Sequence, residues 1–349
     1  MRCPIGFRVA RVYALALVAS AALTLPAVAQ TPGAGVELKL STALGPAYAQ
    51  GKAGEVWARL IGDRSGGRLL VKYLPGATVV QRDALREFAA LRDGVADLAV
   101  GSTLVWSAQV PQLNLLALPW LIPNETALAK LLEGDVGTRL STELDMAGIV
   151  PLVLSANGFT VLATRVAVRK PADLAGLKIR VQGSPLALDV LAALGAQSVA
   201  MNATQARAEF ASGALDGQEI TIAAYDASRL DTVGLTHLVL WEARADALVF
   251  AVNRKRWESW SEGDRALVRL AAQDAAREAA AFARHADDAD ALAALARRGV
   301  NITRLTPAGK EAFRMASQTA YERWATAVGW DLVRAADAAV QESKAVPKQ

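Results

Sequence analysis

The sequence predicts an α/β protein of two lobes, with mixed and parallel sheets and a long bracing helix. Three observations carry this expectation. A β-α-β-α-β alternation fills the first part of the chain, and a similar pattern begins after residue 150. The segments "LRDGVADLAV" (91–100) and "FASGALDGQEI" (210–220) each stop a helix at glycine and place an aspartate three residues later, where a strand starts. An alanine-rich stretch of helical period then runs from Ser261 to Gly299, longer than an ordinary surface helix.

Each element has its own signal. "VELKLSTAL" (36–44) alternates apolar and polar residues and reads as a strand. The apolar residues of 47–67 recur at helical spacing and stop at Gly66-Gly67. "RLLVKYLPG" is a second strand, closed by Pro75-Gly76. "RDALREFAALRDG" (82–94) is an amphipathic helix ending at Gly94, and "ADLAVGS" a buried strand. Past residue 150, "PLVLSANGF" and "LKIRV" are strands and "PLALDVLAALG" a helix. "TQARAEFASGALDGQEI" gives a helix, a stop at Gly213 and a strand. "ADALVFAVNRKRW" (245–257) is a strand followed by a basic turn. Ser261 is the expected N-cap of the long helix and Gly299 its stop. A last helical region spans about Pro307 to Ala336, with "QESKAVPKQ" as a frayed tail. The lobes are therefore expected at residues 30–155 plus 245–275 and at 156–244 plus 300–330. Residues 276–299 form the connecting helix, and 331–349 the C-terminal helix end and tail.

Residues 1–29 have the form of a secretory signal. Arg2, Arg8 and Arg11 precede an apolar run from Val12 to Leu25, and Ala27-Val28-Ala29 offers a cleavage site before Gln30. Removing those three arginines takes 38 basic residues to 35, against 34 acidic ones. The mature chain is then nearly neutral, so nucleic acid loses its electrostatic basis as a partner. Cys3 is the only cysteine and falls in the leader, which excludes disulfides, thiol nucleophiles and thiolate metal sites from the mature chain. His237 and His285 lack metal-ligand spacing, and no cofactor or metal is expected. There is no G-x-S-x-G elbow and no Gly-rich phosphate loop; Asp216 and Glu219 could be drawn as an acid pair, but such carboxylates are more often solvated or ion-paired. Enzymatic function therefore has little support.

The residue that points to function is Arg180, in "LKIRVQGSP" (177–185). Leu177, Ile179 and Val181 face one way and Lys178, Arg180 and Gln182 the other. Arg180 thus sits at the carboxyl end of a parallel strand, where open α/β sheets place ligands. A planar guanidinium suits a carboxylate; the alternatives are an exposed arginine or an ion pair with an acid such as Asp189.

"LAGLKIRVQGSPLALDVLAALGAQSVAM" followed by "GALDGQE" resembles the DctP-like solute-binding proteins of tripartite ATP-independent periplasmic (TRAP) transporters. "SGGRLLVKYLPG", "LRDGVADLAV", "LALPWLI", "NGF" and "VNRKRW" appear in that family's order across nearly the whole mature chain. The resemblance implies a periplasmic binding protein fold, two lobes around a ligand cleft. It also implies capture of a small organic acid and delivery to the small and large membrane subunits of a TRAP permease. The protein is then expected in the periplasm, as a monomer without enzymatic activity, closing about the strands near Ala156 and Ala245. On this resemblance Arg180 makes a bidentate contact with the solute carboxylate.

The chain departs from the family's pattern in three places. Thr160 stands where a second arginine often follows "NGF", Ile220 where an amide is usual, and Ala203 where an aromatic is usual. These changes favour a roomier, more apolar pocket and open the alternative of a larger aromatic, polyol or amide solute. Presentation of the solute to a receptor kinase is a further alternative. Arg244 is a candidate second anion contact in place of the arginine missing at Thr160; otherwise it pairs with Glu242 or Asp246. The other cleft candidates are Tyr48, Asp83, Ser102, Thr103, Trp106, Asn157, Ser184 and Gln218. For Asp83 and Ser184 the competing role is a helix cap, and for Tyr48 packing at a helix start.

Overall fold

The computed structural model describes residues 35–286 and 288–345. The expected leader, its cleavage site at Ala29 and Gln30, and Cys3 lie outside them. Among the described residues ten strands follow in chain order: β1 (Val36–Thr42), β2 (Leu69–Pro75), β3 (Leu98–Ser102), β4 (Ile149–Thr164), β5 (Lys178–Val181), β6 (Gln197–Ala200), β7 (Gly217–Thr221), β8 (His237–Leu240), β9 (Ala245–Asn253) and β10 (Asn301–Arg304). Their spatial order is β2-β1-β3-β9-β4-β7-β5-β6, with β8 pairing both β4 and β10. Pairs made by β4, and the β3–β9 pair, are antiparallel; β1 with β2 and β3, β5 with β6 and β7, and β8 with β10 are parallel.

The spine is the antiparallel pair of β4 and β9. All nine residues of β9 are buried, as expected of a strand covered on both faces. The sixteen residues of β4 serve two sheets: its first part pairs with β9, its last with β7 and β8. Its register against β9 shifts between Pro151 and Val153, and again between Ala156 and Gly158. Proline has no N–H for the ladder, and a bulge bends the strand that carries it. The second shift leaves Asn157 out of register where the strand passes between lobes.

The helix Glu262–Ala286 lies on the helix Ala49–Arg64 and on β4. Trp57 Nε1 donates to the Val268 carbonyl at 3.1 Å, and Ser155 Oγ to the Ala276 carbonyl at 3.2 Å. One continuous helix to Gly299 is not what forms. The helix stops at Ala286, and a second, Ala289–Arg297, starts with Asp288 accepting from Ala291 N at 2.9 Å. A short carboxylate competes for backbone N–H groups, so an aspartate inside an alanine-rich run can open a new helix.

The last helical region likewise divides, into Pro307–Ala316, Gln318–Val328 and Trp330–Ala345, with Gly329 at φ 102° between the last two. Helix therefore runs into the expected tail as far as Ala345. Gln318–Val328 packs on both Pro111–Leu115 and the helix Pro185–Ala193, and Trp330–Ala345 on the helices Glu125–Glu133 and Asp135–Met146. These C-terminal helices touch both lobes, and one apolar core runs through Leu128, Leu140, Leu186, Phe313 and Val333. Among the described residues no helix is long and apolar enough to cross a membrane.

Candidate ligand-binding cleft

Arg180 is paired in register with Gln218 of β7, so both side chains leave the sheet on the same face. Arg180 is 3% exposed. Its Nε donates to the Met201 carbonyl at 3.0 Å and its Nη1 to Gln218 Oε1 at 3.0 Å. Nη2 is buried and finds no hydrogen-bond partner among the described residues. Burial pushes the Arg180 pKa down to about 10, and no neighbouring acid opposes the shift. Loss of water without a counter-charge is the cause. The candidate pairing with Asp189 does not form; that carboxylate meets Trp324 Nε1 and Arg323 instead.

Cavities of about 540 Å³ and 370 Å³ flank Arg180. The larger is lined by Tyr48, Thr204, Gln218, Ile220 and Ser228, the smaller by Asp83, Leu85, Gln182 and Met201. A third, of about 60 Å³, lies deeper, against Gln50, Asn157, Thr160, Glu219, Arg244 and Asp246. Leu44, Tyr48, Gln182, Ile220 and Ala224 line both the largest and the deepest, so these form one cleft. The lobes meet across it. Tyr48 Oη lies 3.0 Å from Ser228 Oγ. Gly183, at φ 117°, comes so close to Leu85 that a Cβ there would lie 2.5 Å from Leu85 Cδ2.

The deep wall holds Arg244. Its Nε donates to Glu219 Oε1 at 2.8 Å and its Nη2 to Glu219 Oε2, a fork between side chains 4% and 2% exposed. The Thr160 hydroxyl donates to the same carboxylate. Nη1 makes only a 3.4 Å contact with Ser184 Oγ. Neither acid expected as its partner holds it: Glu242 pairs with Lys310, and Asp246 is bound by uncharged donors. Those donors are Ser102 Oγ at 2.8 Å, Thr103 Oγ1 at 2.9 Å, Asn157 Nδ2 at 2.8 Å and Leu104 N at 3.3 Å. Burial still raises the Asp246 pKa, outweighing the bonds that favour its charged form.

Three residues expected to face the solute thus converge on Asp246. Ser102 and Asn157 also line the deep cavity, whereas Thr103 is fully buried and accepts from Ala247 N at 3.0 Å. Trp106 belongs to the core: its ring packs edge-on to Phe88 at 5.3 Å and covers Gly101, where a Cβ would lie 1.9 Å from it. Asp83 caps a turn of 3₁₀ helix by accepting from Leu85 N at 3.1 Å, and Ser184 caps Pro185–Ala193 by accepting from Ala187 N at 3.3 Å. Gln50, Arg207 and Ser228 were not singled out by the sequence, yet line the cleft, as does Gln182 from the face of Arg180. Gln50 carried a signal, a polar residue in a buried stretch of its helix; its Nε2 donates to the Val100 carbonyl at 2.7 Å.

Comparison with known proteins decides the family. Residues 40–327 match the family described as bacterial extracellular solute-binding protein, family 7, DctP. The chain belongs to the DctP family. A TRAP periplasmic solute-binding protein of Ralstonia eutropha H16, solved with bound (S)-2-acetolactate, is 44% identical; the match covers 88% of this chain and 99% of that one with a TM-score of 0.85. A TRAP periplasmic solute-binding protein of Shewanella oneidensis, solved with succinate, shares the fold at 22% identity and a TM-score of 0.82, over 88% of this chain and 99% of that one. The Sinorhizobium fredii protein y4mM is 29% identical over 308 residues, which is 87% of this chain and 56% of that protein. DctP-family proteins are extracellular solute binders of transport systems and not enzymes.

Proposed function

We propose that this DctP-family protein is exported to the periplasm. There it captures one small organic anion, a carboxylate, by closing its lobes, and passes it to the small and large membrane subunits of a TRAP permease. The observation that carries this reading is Arg180, a buried guanidinium with one nitrogen unbonded and no acid beside it among the described residues. A carboxylate supplies both the missing hydrogen bond and the missing charge. Acetolactate, bound by the Ralstonia eutropha relative, is an acid of this kind. The size of the chamber beside Arg180, about 540 Å³, favours a second reading, a bulkier aromatic, polyol or amide solute.

A thermal-shift screen of short organic acids, polyols and amides separates the two. A solute bound only by the folded protein raises its melting temperature. Acids should do so at micromolar to millimolar concentration. A shift from uncharged solutes alone would replace the first reading by the second.

A further inference from the structure

We propose that Glu219 restricts the cleft to solutes carrying a single carboxylate, by holding Arg244 in a closed ion pair so that Arg180 is left as the one buried cation available to an anion. This inference rests on the reading of Arg180 as the carboxylate anchor and adds what the opposite wall does.

The buried charges lining the cleft are Arg180, Arg244, Glu219 and Asp246. Arg244 spends two of its nitrogens on Glu219, and the Thr160 hydroxyl donates to the same Oε1 that accepts from Arg244 Nε. Asp246 has hydroxyl, amide and backbone donors but no cation among the described residues. The deep cavity is therefore bounded by two carboxylates and one guanidinium that is already engaged. A solute whose first carboxylate lies on Arg180 and whose second points inward would strip the second of water and set it beside Glu219 and Asp246. Burying a charge without a partner is costly, and like charges add to the cost. An uncharged hydroxyl or keto end meets no such penalty, and Gln50, Asn157 and Arg244, all hydrogen-bonding side chains, line the same 60 Å³ cavity. The other arginines of the large chamber lie at its mouth. Arg229 pairs with Asp231, and Arg207 is exposed and donates to the Ser228 carbonyl at 2.7 Å.

The test is calorimetric titration with acids that differ by one carboxylate: propanoate and succinate, lactate and malate, butanoate and glutarate. The wild type should bind the monocarboxylate of at least one pair about tenfold or more tighter than its partner. Glu219→Gln releases Arg244 and should move that ratio toward the dicarboxylate by about tenfold or more. The double variant Glu219→Gln/Arg244→Gln removes both charges and should keep the wild-type preference; it decides the matter if the single variant does not fold. A wild type that prefers the dicarboxylate, an unchanged ratio in a folded Glu219→Gln protein, or a double variant that gains dicarboxylate binding overturns the proposal. So does dicarboxylate binding that disappears in Arg207→Ala, because the second charge would then sit at the mouth. If no acid of any pair binds, the anion reading of the cleft falls, and this inference with it. If both members of a pair bind equally well and both are lost in Arg180→Met, the anion reading stands and only the restriction fails.

Discussion

Replacing Arg180 by methionine separates a binding arginine from a structural one. Burial takes its pKa from the usual guanidinium value down to about 10. At about 1.36 kcal/mol per pKa unit, holding the charged form in the folded protein costs roughly 3 kcal/mol. For a base whose folded pKa is depressed this cost is present in full below about pH 10, and so at neutral pH. Against it stand two hydrogen bonds, to Met201 and Gln218, each worth about 1.5–3 kcal/mol because the donor is charged. Together the bonds supply about 3–6 kcal/mol, so the net contribution of the side chain lies between nothing and about 3 kcal/mol. Arg180→Met should therefore lower the melting temperature of the solute-free protein by at most about 10 °C. The acid-induced increase should vanish, with affinity down by about 2–5 kcal/mol, or from about thirtyfold to several thousandfold. An arginine held in a buried ion pair would behave in the opposite way, costing about 3–5 kcal/mol of stability when its partner is stranded. Calorimetric titration and thermal melting on the same samples measure both quantities. A large loss of stability with acid affinity intact would refute the reasoning.

Other groups give further tests. Glu87 is buried, accepts from Ser41 Oγ at 2.8 Å, and has its second oxygen unbonded; burial raises its pKa from 4.5 to about 8. Since the folded value lies above the unfolded one, its contribution is full below about pH 4.5 and is lost as the pH rises through 8. Glu87→Gln should flatten the decline in melting temperature over that window, a difference of up to roughly 5 kcal/mol; parallel wild-type and variant curves would count against a protonated Glu87. Tyr48→Phe removes the bond to Ser228 while keeping the ring. It should weaken solute binding about two- to tenfold with little effect on the solute-free melting point, and unchanged affinity would exclude that bond from closure. Gly183→Ala places a Cβ against Leu85 at a left-handed φ. A penalty of about 1–3 kcal/mol should appear in solute affinity, and a variant binding normally would show that Leu85 yields without cost.

The parts of the fold set by local pattern were legible in the sequence. β1, β2, β3, β5, β7 and β9 lie where alternation and glycine stops put them, because burial period and turn chemistry are properties of neighbouring residues. The full length of β4 was not, since its two halves serve different sheets and nothing local marks the bulge at Asn157. The split of the long helix turned on one capping carboxylate, Asp288, inside a run whose composition reads as uninterrupted helix. In the cleft, strand alternation fixed the face of Arg180, but not its register partner Gln218, which is 38 residues away. The same limit applies to Arg244. Glu242 and Asp246 are its neighbours in sequence, yet its partner comes from β7, 25 residues earlier, brought near by pairing of β4 with both β7 and β9. Ser102, Thr103 and Asn157 were legible as polar groups at strand ends. That one buried aspartate would gather all three is a tertiary fact.

The walls around Arg180 link charge to lobe closure. Part of its surroundings belongs to β5, β7 and the helix Ala203–Ser212, but Leu44, Tyr48 and the segment Arg82–Leu85 come from the other lobe. Separating the lobes would return water to the guanidinium, so we infer that its desolvation is a cost incurred on closing. The named contacts across the gap, Tyr48 with Ser228 and Leu85 with Gly183, are uncharged, and a hydrogen bond of that kind is worth about 1 kcal/mol. Such contacts stand against the share of the desolvation penalty incurred on closing, which is at most roughly 3 kcal/mol. On the proposed reading a bound carboxylate would remove the penalty by giving the guanidinium a counter-charge. The closed arrangement is then favoured when the solute is an anion and disfavoured without one, since a ligand shifts an equilibrium only by its differential affinity for the two states. We infer that, if Arg180 anchors the solute as proposed, the same buried charge would also keep an unloaded protein from presenting the closed shape to a permease.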